Sequence, residues 1–289
     1  MKRLIAAVAA VAALSLVAAP AWARTILFVG NSFTFGANSA AKVYRPETVT
    51  DLNGPIDGRT IGGVPALFKA MAEEAGLDYQ VSLETVGGKG LDYHYAEKLP
   101  LLDKAWDDVV LQSYSTLDAA HPGDPGIVVK YTRLFADTFT ARNPQVKIWL
   151  TATWSRPDLT YLPGKPWSGK PIQQMALDVE AGYEAAAKGA PAVSGIAPVG
   201  LAFNRAIAAG LADPNPADGL GPGQIDLWSF DDYHASSYGY YLEALMVFAK
   251  VTGRDPLSLG DHERAAIDLG LSPAQAKALQ QIAHDQLAQ

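Results

Sequence analysis

The chain has 289 residues, a formal net charge of -7 and no cysteine. The lack of cysteine excludes disulfides, thiol nucleophiles and thiolate metal sites. The acidic balance argues against nucleic-acid and anionic-membrane partners, because binding phosphate needs clustered lysine and arginine, and no basic run follows Lys2-Arg3. Hydrophobic residues make up 49% of the sequence, which is enough to bury a substantial core at this length.

The first 23 residues have the pattern of a secretory signal peptide. A basic pair is followed by an apolar run over residues 4–19, and residues 21–23 (Ala-Trp-Ala) form a small-x-small cleavage site. The alternative, an uncleaved membrane anchor, needs about 20 apolar residues, and this run is shorter and ends at Pro20. We therefore predict cleavage after Ala23, export to the periplasm or out of the cell, and no stable membrane insertion afterwards.

Beyond the signal, short apolar runs rich in β-branched and aromatic residues alternate with amphipathic stretches. Runs that are apolar on both faces are typical of buried parallel strands. The predicted strands are Thr25 to Gly30, Tyr79 to Val86, Asp108 to Ser113, Val146 to Thr153 and Ala192 to Val199. Right-handed crossovers between such strands lay helices on both faces. The sequence therefore predicts a three-layer αβα sandwich with a five-stranded parallel sheet.

Apolar residues at helical spacing predict the helices that cover this sheet. The spacing recurs over residues 64–71, 172–183 and 238–248, and Ser272 to Gln275 predicts a capped last helix. Three long loops rich in Gly, Pro and Asp remain: Ala37 to Gly62, Ser155 to Pro171 and Leu211 to Asp232. Loops of this length in a compact domain are usually functional or mobile. We expect residues 24–289 to form one domain.

Two short segments carry the candidate catalytic groups. The first strand is followed by Ser32, which puts a hydroxyl at the carboxyl edge of the sheet, where ligands bind. Asp231 precedes His234 by three residues, so its carboxylate can reach the imidazole through a local turn and fix the tautomer. Each segment alone also fits a helix cap, but the predicted fold brings both to one edge. His94 and His121 lie in loops at that edge and are kept as possible substrate contacts.

With these segments in place, the sequence resembles the SGNH/GDSL hydrolase superfamily. The matching segments are Gly30 to Thr34, Val86 to Leu91, Val109 to Ser113 and Asp231 to Leu242. The resemblance implies a flavodoxin-like sandwich that hydrolyses an ester through an acyl-serine intermediate. It also implies the roles of the triad: Ser32 is the nucleophile, His234 the general base and acid, and Asp231 the carboxylate that orients it.

Two positions depart from the usual pattern of that superfamily. Position 31 is Asn where most members have Asp, and the third strand ends in Leu111-Gln112-Ser113 in place of Gly-x-Asn-Asp. We assign the oxyanion hole to the N–H groups of Ser32 and Gly88 and to the side chain of Gln112, with Gly90 as the competing glycine. The alternative for Gln112 is a strand-end amide that satisfies backbone groups.

Aromatic residues near this edge bear on the substrate. The predicted substrate contacts are Phe33, Tyr93, Tyr114 and Trp154, because flat rings stack on sugar rings and acyl groups. The alternative is that these rings anchor loops. We expect no metal and no cofactor, because the sequence has neither a His-x-x-x-His pair nor a calcium-loop pattern.

The favoured function is a secreted serine esterase that removes short acyl groups, such as acetyl, from a carbohydrate or another small ester. A lipid or long-acyl esterase is less favoured, because the sequence shows no long apolar lid. An acyltransferase would use the same triad. A non-catalytic glycan-binding protein on the same scaffold would keep the aromatic loops without needing the triad. The expected partner in each case is a small-molecule or glycan ligand.

Overall fold

The computed structural model describes residues 23–55 and 60–288, so the predicted signal peptide lies outside them apart from Ala23. One sheet of six parallel strands has the order β2-β3-β1-β4-β5-β6. The strands are β1 Arg24–Gly30, β2 Thr50–Asp51, β3 Tyr79–Thr85, β4 Asp108–Leu111, β5 Lys147–Ala152 and β6 Val193–Pro198. β1 lies inside the sheet between β3 and β4, so its carboxyl end has strand ends on both sides.

The sequence predicts five of these strands and misses β2. This strand has only two residues, pairs with β3 alone and lies inside the segment predicted as the first long loop. Two residues are too few to show a period or an apolar run. The sheet therefore has six strands and not five, and the extra strand lies at its edge.

Helices cover both faces of the sheet. Their bounds are α1 Gly63–Glu74, α2 Leu91–Tyr93, α3 Leu99–Leu102, α4 Gly126–Arg142, α5 Pro157–Thr160, α6 Gln173–Gly189, α7 Val199–Ala208, α8 Ser237–Thr252, α9 Arg264–Asp268 and α10 Pro273–Leu287. A π-helical turn, His94–Lys98, joins α2 to α3. The 3₁₀ turns are Ala40–Val43, Pro46–Thr48, Pro216–Asp218 and Pro256–Leu259. The sequence analysis did not predict α4 or α7.

The two faces of β1 belong to separate cores. Ile26 and Phe28 pack in a cluster with α1, α7, α8 and α10, whereas Leu27 and Val29 pack in a cluster with α4 and α6. Successive side chains of a strand point to opposite faces. A strand buried on both sides must therefore be apolar throughout, which is the pattern that predicted it. The result is the expected three-layer αβα sandwich.

Helix ends follow the predicted chemistry. α8 ends at Gly253, whose φ of 69° suits glycine and whose N–H donates to the carbonyl of Ala249. α10 begins with a capping box formed by Ser272 and Gln275. Within the described residues, no helix has both the length and the hydropathy needed to cross a bilayer.

Glu243 is a buried carboxyl in the middle of α8. Its side chain is 2% exposed, and its Oε2 has no hydrogen-bond partner among the described residues. Burial raises the pKa of this carboxyl well above its ordinary value, because the charged form loses its hydration. The group therefore keeps its proton in the folded chain at pH values where the unfolded chain has lost it.

Replacing Glu243 by Gln should stabilise the protein at neutral pH. Because the folded-state pKa is raised, the wild-type free energy of unfolding is greatest below the ordinary pKa of 4.5 and falls as pH rises towards the folded-state pKa. Glutamine has no proton to lose. The melting temperature of Glu243→Gln minus that of wild type should therefore grow between about pH 4 and about pH 7.

Glu97→Gln is the matched control, because Glu97 is exposed. Its melting-temperature difference from wild type should stay constant over the same range. A constant difference for Glu243→Gln as well would show that burial of this carboxyl does not cost stability.

Candidate active site

Ser32 lies directly after β1, in a tight turn at the carboxyl edge of the sheet. The N–H groups of Phe35 and Ala37 donate to the carbonyls of Asn31 and Ser32, each at 3.0 Å. The hydroxyl of Tyr240 also donates to the Ser32 carbonyl, at 3.1 Å. These bonds fix the backbone that carries the hydroxyl.

The side chain of Asn31 joins three segments at this edge. Its Nδ2 donates to the carbonyl of Lys89 at 2.9 Å and to that of Ser113 at 3.1 Å. Its Oδ1 accepts the N–H of Phe33 at 3.1 Å. The Oε1 of Gln112 accepts the Asn31 backbone N–H at 3.0 Å. The turn after β1 is thereby tied to the segments that follow β3 and β4.

Gly30 allows this close approach. A Cβ at position 30 would overlap the hydroxyl of Thr34 and lie 2.8 Å from the Oε1 of Gln112. That hydroxyl itself donates to the same Oε1, at 3.1 Å. Glycine is needed here because the chain has no room for a side chain.

Asp231 and His234 are joined side chain to side chain. The Nδ1 of His234 lies 2.6 Å from the Oδ2 of Asp231, while Oδ1 accepts the N–H of His234 at 3.0 Å and of Tyr233 at 3.3 Å. Partial burial by itself would raise the pKa of Asp231, but the hydrogen bonds from His234 outweigh it and hold the pKa below its ordinary value. The ionised carboxylate favours a proton on Nδ1, which leaves Nε2 free to accept one.

The neighbouring Asp232 does not contact the imidazole. Its backbone is left-handed, with φ at 54°, and its carbonyl accepts the N–H of Asp158 at 3.2 Å. Partial burial and the nearby carboxylates raise its pKa. The turn therefore brings the first of the two consecutive aspartates to His234.

The segment of His234 lies against the segment of Ser32. The ring centroid of Phe33 is 5.6 Å from that of the imidazole. The Nε2 atom is buried and has no hydrogen-bond partner among the described residues, Ser32 included. Catalytic hydrogen bonds are often long or poorly aligned in unliganded enzymes and tighten when substrate binds, so the lack of a bond to Ser32 does not exclude His234 as its base.

Asn38 is a site residue that the sequence analysis misses. Its Nδ2 donates to the Oδ2 of Asp231 at 2.7 Å and lies 3.4 Å from the Nδ1 of His234. Its carbonyl accepts the hydroxyl of Ser229 at 2.7 Å. The backbone is left-handed, with φ at 60°, a conformation that Asn tolerates better than most residues. No local spacing signals this contact, since it joins positions 193 residues apart.

A stack of planar side chains packs against the imidazole ring of His234. The ring of Tyr233 lies 4.1 Å from that of His234, and the guanidinium of Arg156 lies 3.5 Å from the Tyr233 ring. Arg156 is itself held by Asp158 at 2.7 Å. Arg156 was not predicted from the sequence. Together with Asn38, this stack restricts the orientation of the ring.

Gly88 is exposed at this edge, whereas Gly90 is buried. Gly88 is exposed, has a φ of 71°, and lines with Asn31 a cavity of about 240 Å³. The N–H groups of Gly88 and Ser32 have no acceptor in the part of the chain that the structure describes. Gly90 is buried, its carbonyl accepts the N–H of Tyr93, and a Cβ there would overlap the ring of Tyr114. Gly90 is therefore required by packing.

The structure does not support the predicted role of Gln112 as an oxyanion donor. The residue is 1% exposed, its Oε1 accepts from Asn31, and its Nε2 donates to the carbonyl of Ser113. It is the strand-end amide that satisfies backbone groups, which was the alternative.

Two of the predicted substrate contacts are wrong. Phe33 and Trp154 are both 0% exposed and stack on each other with ring centroids 4.4 Å apart. Fully buried rings cannot contact a substrate. Tyr93 and Tyr114, in contrast, are half-buried and each lines a cavity at this edge. Among the described residues, no cluster of three or more His, Cys, Asp or Glu is arranged to hold a metal ion.

Solved structures share this fold. A DUF4886 family protein from Bacteroides uniformis is similar with a TM-score of 0.62 and 17% identity, over 92% of this chain and 95% of that chain. A protein described as a GDSL-like lipase, from Parabacteroides merdae, is similar with a TM-score of 0.51 and 16% identity, over 80% and 95%. No protein-family model and no curated protein matches the sequence. The chain therefore has the fold of the SGNH/GDSL hydrolases.

Proposed function

We propose that this protein is a serine ester hydrolase. The observation that carries the proposal is the Asp231–His234 pair, which lies against the turn of Ser32. The pair has a 2.6 Å contact, and the Nε2 of His234 has no hydrogen-bond partner among the described residues. A serine hydroxyl is a weak nucleophile at neutral pH and needs an adjacent base. The GDSL-like fold is the second support, since the turn occupies the carboxyl end of its first strand.

Each catalytic group acts once while the serine is acylated and once while it is deacylated. The Oγ of Ser32 attacks the ester carbonyl while the Nε2 of His234 takes its proton, and Asp231 stabilises the imidazolium. The N–H groups of Ser32 and Gly88 bind the oxyanion. Nε2 then gives the proton to the departing alcohol, and a water activated in the same way releases the acid and frees the serine.

A short acyl group fits the cavity beside Gly88. Its volume is about 240 Å³, below the roughly 300–1,000 Å³ of pockets for drug-sized ligands. Its lining includes Tyr114, Ser115 and Arg156, which is polar for a fatty acyl chain. We therefore favour removal of acetyl or similar groups from a carbohydrate or another small ester, over a lipid esterase or an acyltransferase.

Substituting Ser32 or His234 by Ala should abolish hydrolysis of p-nitrophenyl acetate. Loss of the nucleophile or base removes nearly all triad-dependent rate, about 10³-fold or more. The measurement is p-nitrophenol release by the mature chain, residues 24–289, with acetate, butyrate and octanoate esters. The rate should fall from acetate to octanoate.

Ser168→Ala is the matched control, because Ser168 is exposed and should keep the wild-type rate. Equal rates for Ser32→Ala and wild type would reject the catalytic assignment. A transferase would instead give an acylated acceptor when an alcohol is added, and a binding protein would show no Ser32-dependent turnover.

Asn38 should act as a positioning residue through its bond to Asp231. Asn38→Gly accepts the left-handed backbone but lacks the amide, so kcat/KM for p-nitrophenyl acetate should fall about 10-fold, or ~1.4 kcal/mol. Asn38→Asp places a second carboxylate beside the imidazole, which favours the protonated ring. The acidic limb of its kcat/KM profile should therefore move to higher pH. A purely structural residue would lower the rate without moving the limb.

The predicted signal peptide supports export, which we include in the proposal. Expressed in a Gram-negative host, the full chain should yield a periplasmic or secreted product that begins at Arg24. N-terminal sequencing of the product and fractionation of the cells measure this. Replacing the two small residues of the predicted cleavage site, Ala21 and Ala23, by Asp should block processing, since signal peptidase needs small residues there. A cytoplasmic product with an intact N-terminus from the wild-type chain would contradict the proposal.

A further inference from the structure

A second, larger cavity lies at the same edge of the sheet, on the side of β2 and β3. Its volume is about 770 Å³, and its wall includes Phe35 from the turn after β1, Asn53 from the segment after β2, and Tyr93 and Lys98 from the helical segment after β3. Gly87, which precedes the candidate oxyanion donor, is also in the wall. A Cβ on Gly87 would lie 3.8 Å from the ring of Phe35. The cavity therefore begins beside the candidate reaction centre.

A row of polar groups runs from the core to this wall. Glu84 and His94 are both 0% exposed, with Oε2 and Nδ1 2.5 Å apart. The Oε1 of Glu84 accepts the Nδ2 of Asn53 at 3.1 Å, and the Oδ1 of Asn53 accepts the ammonium of Lys98 at 2.9 Å. Burying an ionisable pair is costly, and the proposed triad does not use this one. The outer end of this row of hydrogen bonds fixes Asn53 and Lys98 in the wall of the cavity, as a binding site requires.

The charged groups of the wall are cationic. Lys42 and Lys98 both line it, and none of its described residues is acidic. Lys42 lies over the ring of Phe35 at 5.3 Å, and Lys89 lies over the ring of Tyr93 at 5.0 Å. None of these three lysines forms an ion pair with a described carboxylate, whereas Arg24, Arg133 and Arg142 each do. In a chain of net charge -7, these lysines favour an anionic ligand at the wall, with Asp51 as the carboxylate that offsets part of the charge of Lys98.

The chemistry of this wall matches a sugar that carries a carboxylate. The rings of Phe35 and Tyr93 give the wall apolar surface that suits the apolar side of a pyranose. The ammonium of Lys98 donates one N–H to Asn53 and has others that can bond hydroxyl and carboxylate oxygens, and the Oδ1 of Asn53 can accept a second hydrogen bond from a hydroxyl. A fatty acyl chain would offer no acceptor to the remaining N–H groups of Lys98.

We propose that this cavity binds an acidic saccharide, so that the substrate is an acyl ester on an anionic glycan. The inference rests on the proposed hydrolase function for its catalytic part. The binding itself depends only on the cavity.

The test compares acetyl esters of an anionic and a neutral trisaccharide. Wild type should hydrolyse O-acetylated trigalacturonate with a higher kcat/KM than O-acetylated xylotriose. Lys98→Met keeps the length of the side chain and removes the charge, so the ratio of the two kcat/KM values should fall about 10-fold, mainly through KM. Lys188→Met, at an exposed position of α6, is the control and should keep the wild-type ratio.

Direct binding separates this inference from the hydrolase proposal. Calorimetry with the Ser32→Ala chain should show trigalacturonate binding that weakens with salt and is lost in Lys98→Met. Equal affinity for trigalacturonate and xylotriose, with p-nitrophenyl acetate still hydrolysed by wild type, would overturn the subsite and leave the hydrolase standing. Selective trigalacturonate binding without any Ser32-dependent turnover would support the subsite and reject the hydrolase.

Discussion

The hydrogen bonds of Asn31 are the constraint on which the candidate active site at the carboxyl edge of the sheet depends. A carboxylate at this position, as in most SGNH/GDSL members, could still accept the N–H of Phe33. It could not donate to the carbonyls of Lys89 and Ser113, which would then face a negative charge. Leaving a buried polar group unsatisfied costs about 1–3 kcal/mol. Asn is therefore the residue that lets the three strand ends meet in this chain.

The two departures from the family pattern lie in contact with each other. Gln112 accepts the backbone N–H of Asn31, and both residues bond the carbonyl of Ser113. One amide replaces the usual carboxylate, and the other replaces the usual Asn with a longer side chain that reaches back to the turn. With Gln112 bonded to the backbone, our proposal assigns the oxyanion to the N–H groups of Ser32 and Gly88, which have no acceptor among the described residues. Anion stabilisation in this proposal depends on backbone geometry.

The imidazole ring of His234 is oriented by residues that come from other segments of the chain. Asn38 bonds the carboxylate from the turn that follows Ser32, and Arg156 supports the stacked Tyr233 from the segment after β5. Each contact links the imidazole to a strand end of the same sheet. The position of Nε2 relative to Ser32 is therefore set by the sheet, even though 202 residues separate the two positions in sequence.

The sequence predicts what depends on local patterns. Long apolar strands and helices with periodic faces or caps, such as α10 with its Ser272 capping box, follow from spacing and composition. The Asp231–His234 contact also follows, because it closes over three residues. β2 is too short to carry a period, and Asn38 acts across the fold, so neither gives a local signal. For Gln112, chemistry alone allows an amide to donate to substrate or to backbone, and only the packed neighbours decide between them.

The aromatic residues show why position along a strand does not determine role. Phe33 and Trp154 both follow strand ends at the carboxyl edge of the sheet. However, the ring of Trp154 stacks on that of Phe203 in α7, with centroids 5.0 Å apart and an interplanar angle of 5°. Phe33 stacks on Trp154 in turn, with ring centroids 4.4 Å apart. Phe203 lies in α7, a helix missed in the sequence analysis, so the packing that buries Trp154 was missed as well. Burial of Phe33 anchors the turn one residue beyond Ser32. The hydroxyl of Ser32 is therefore held at the edge by the apolar packing of its neighbour in sequence.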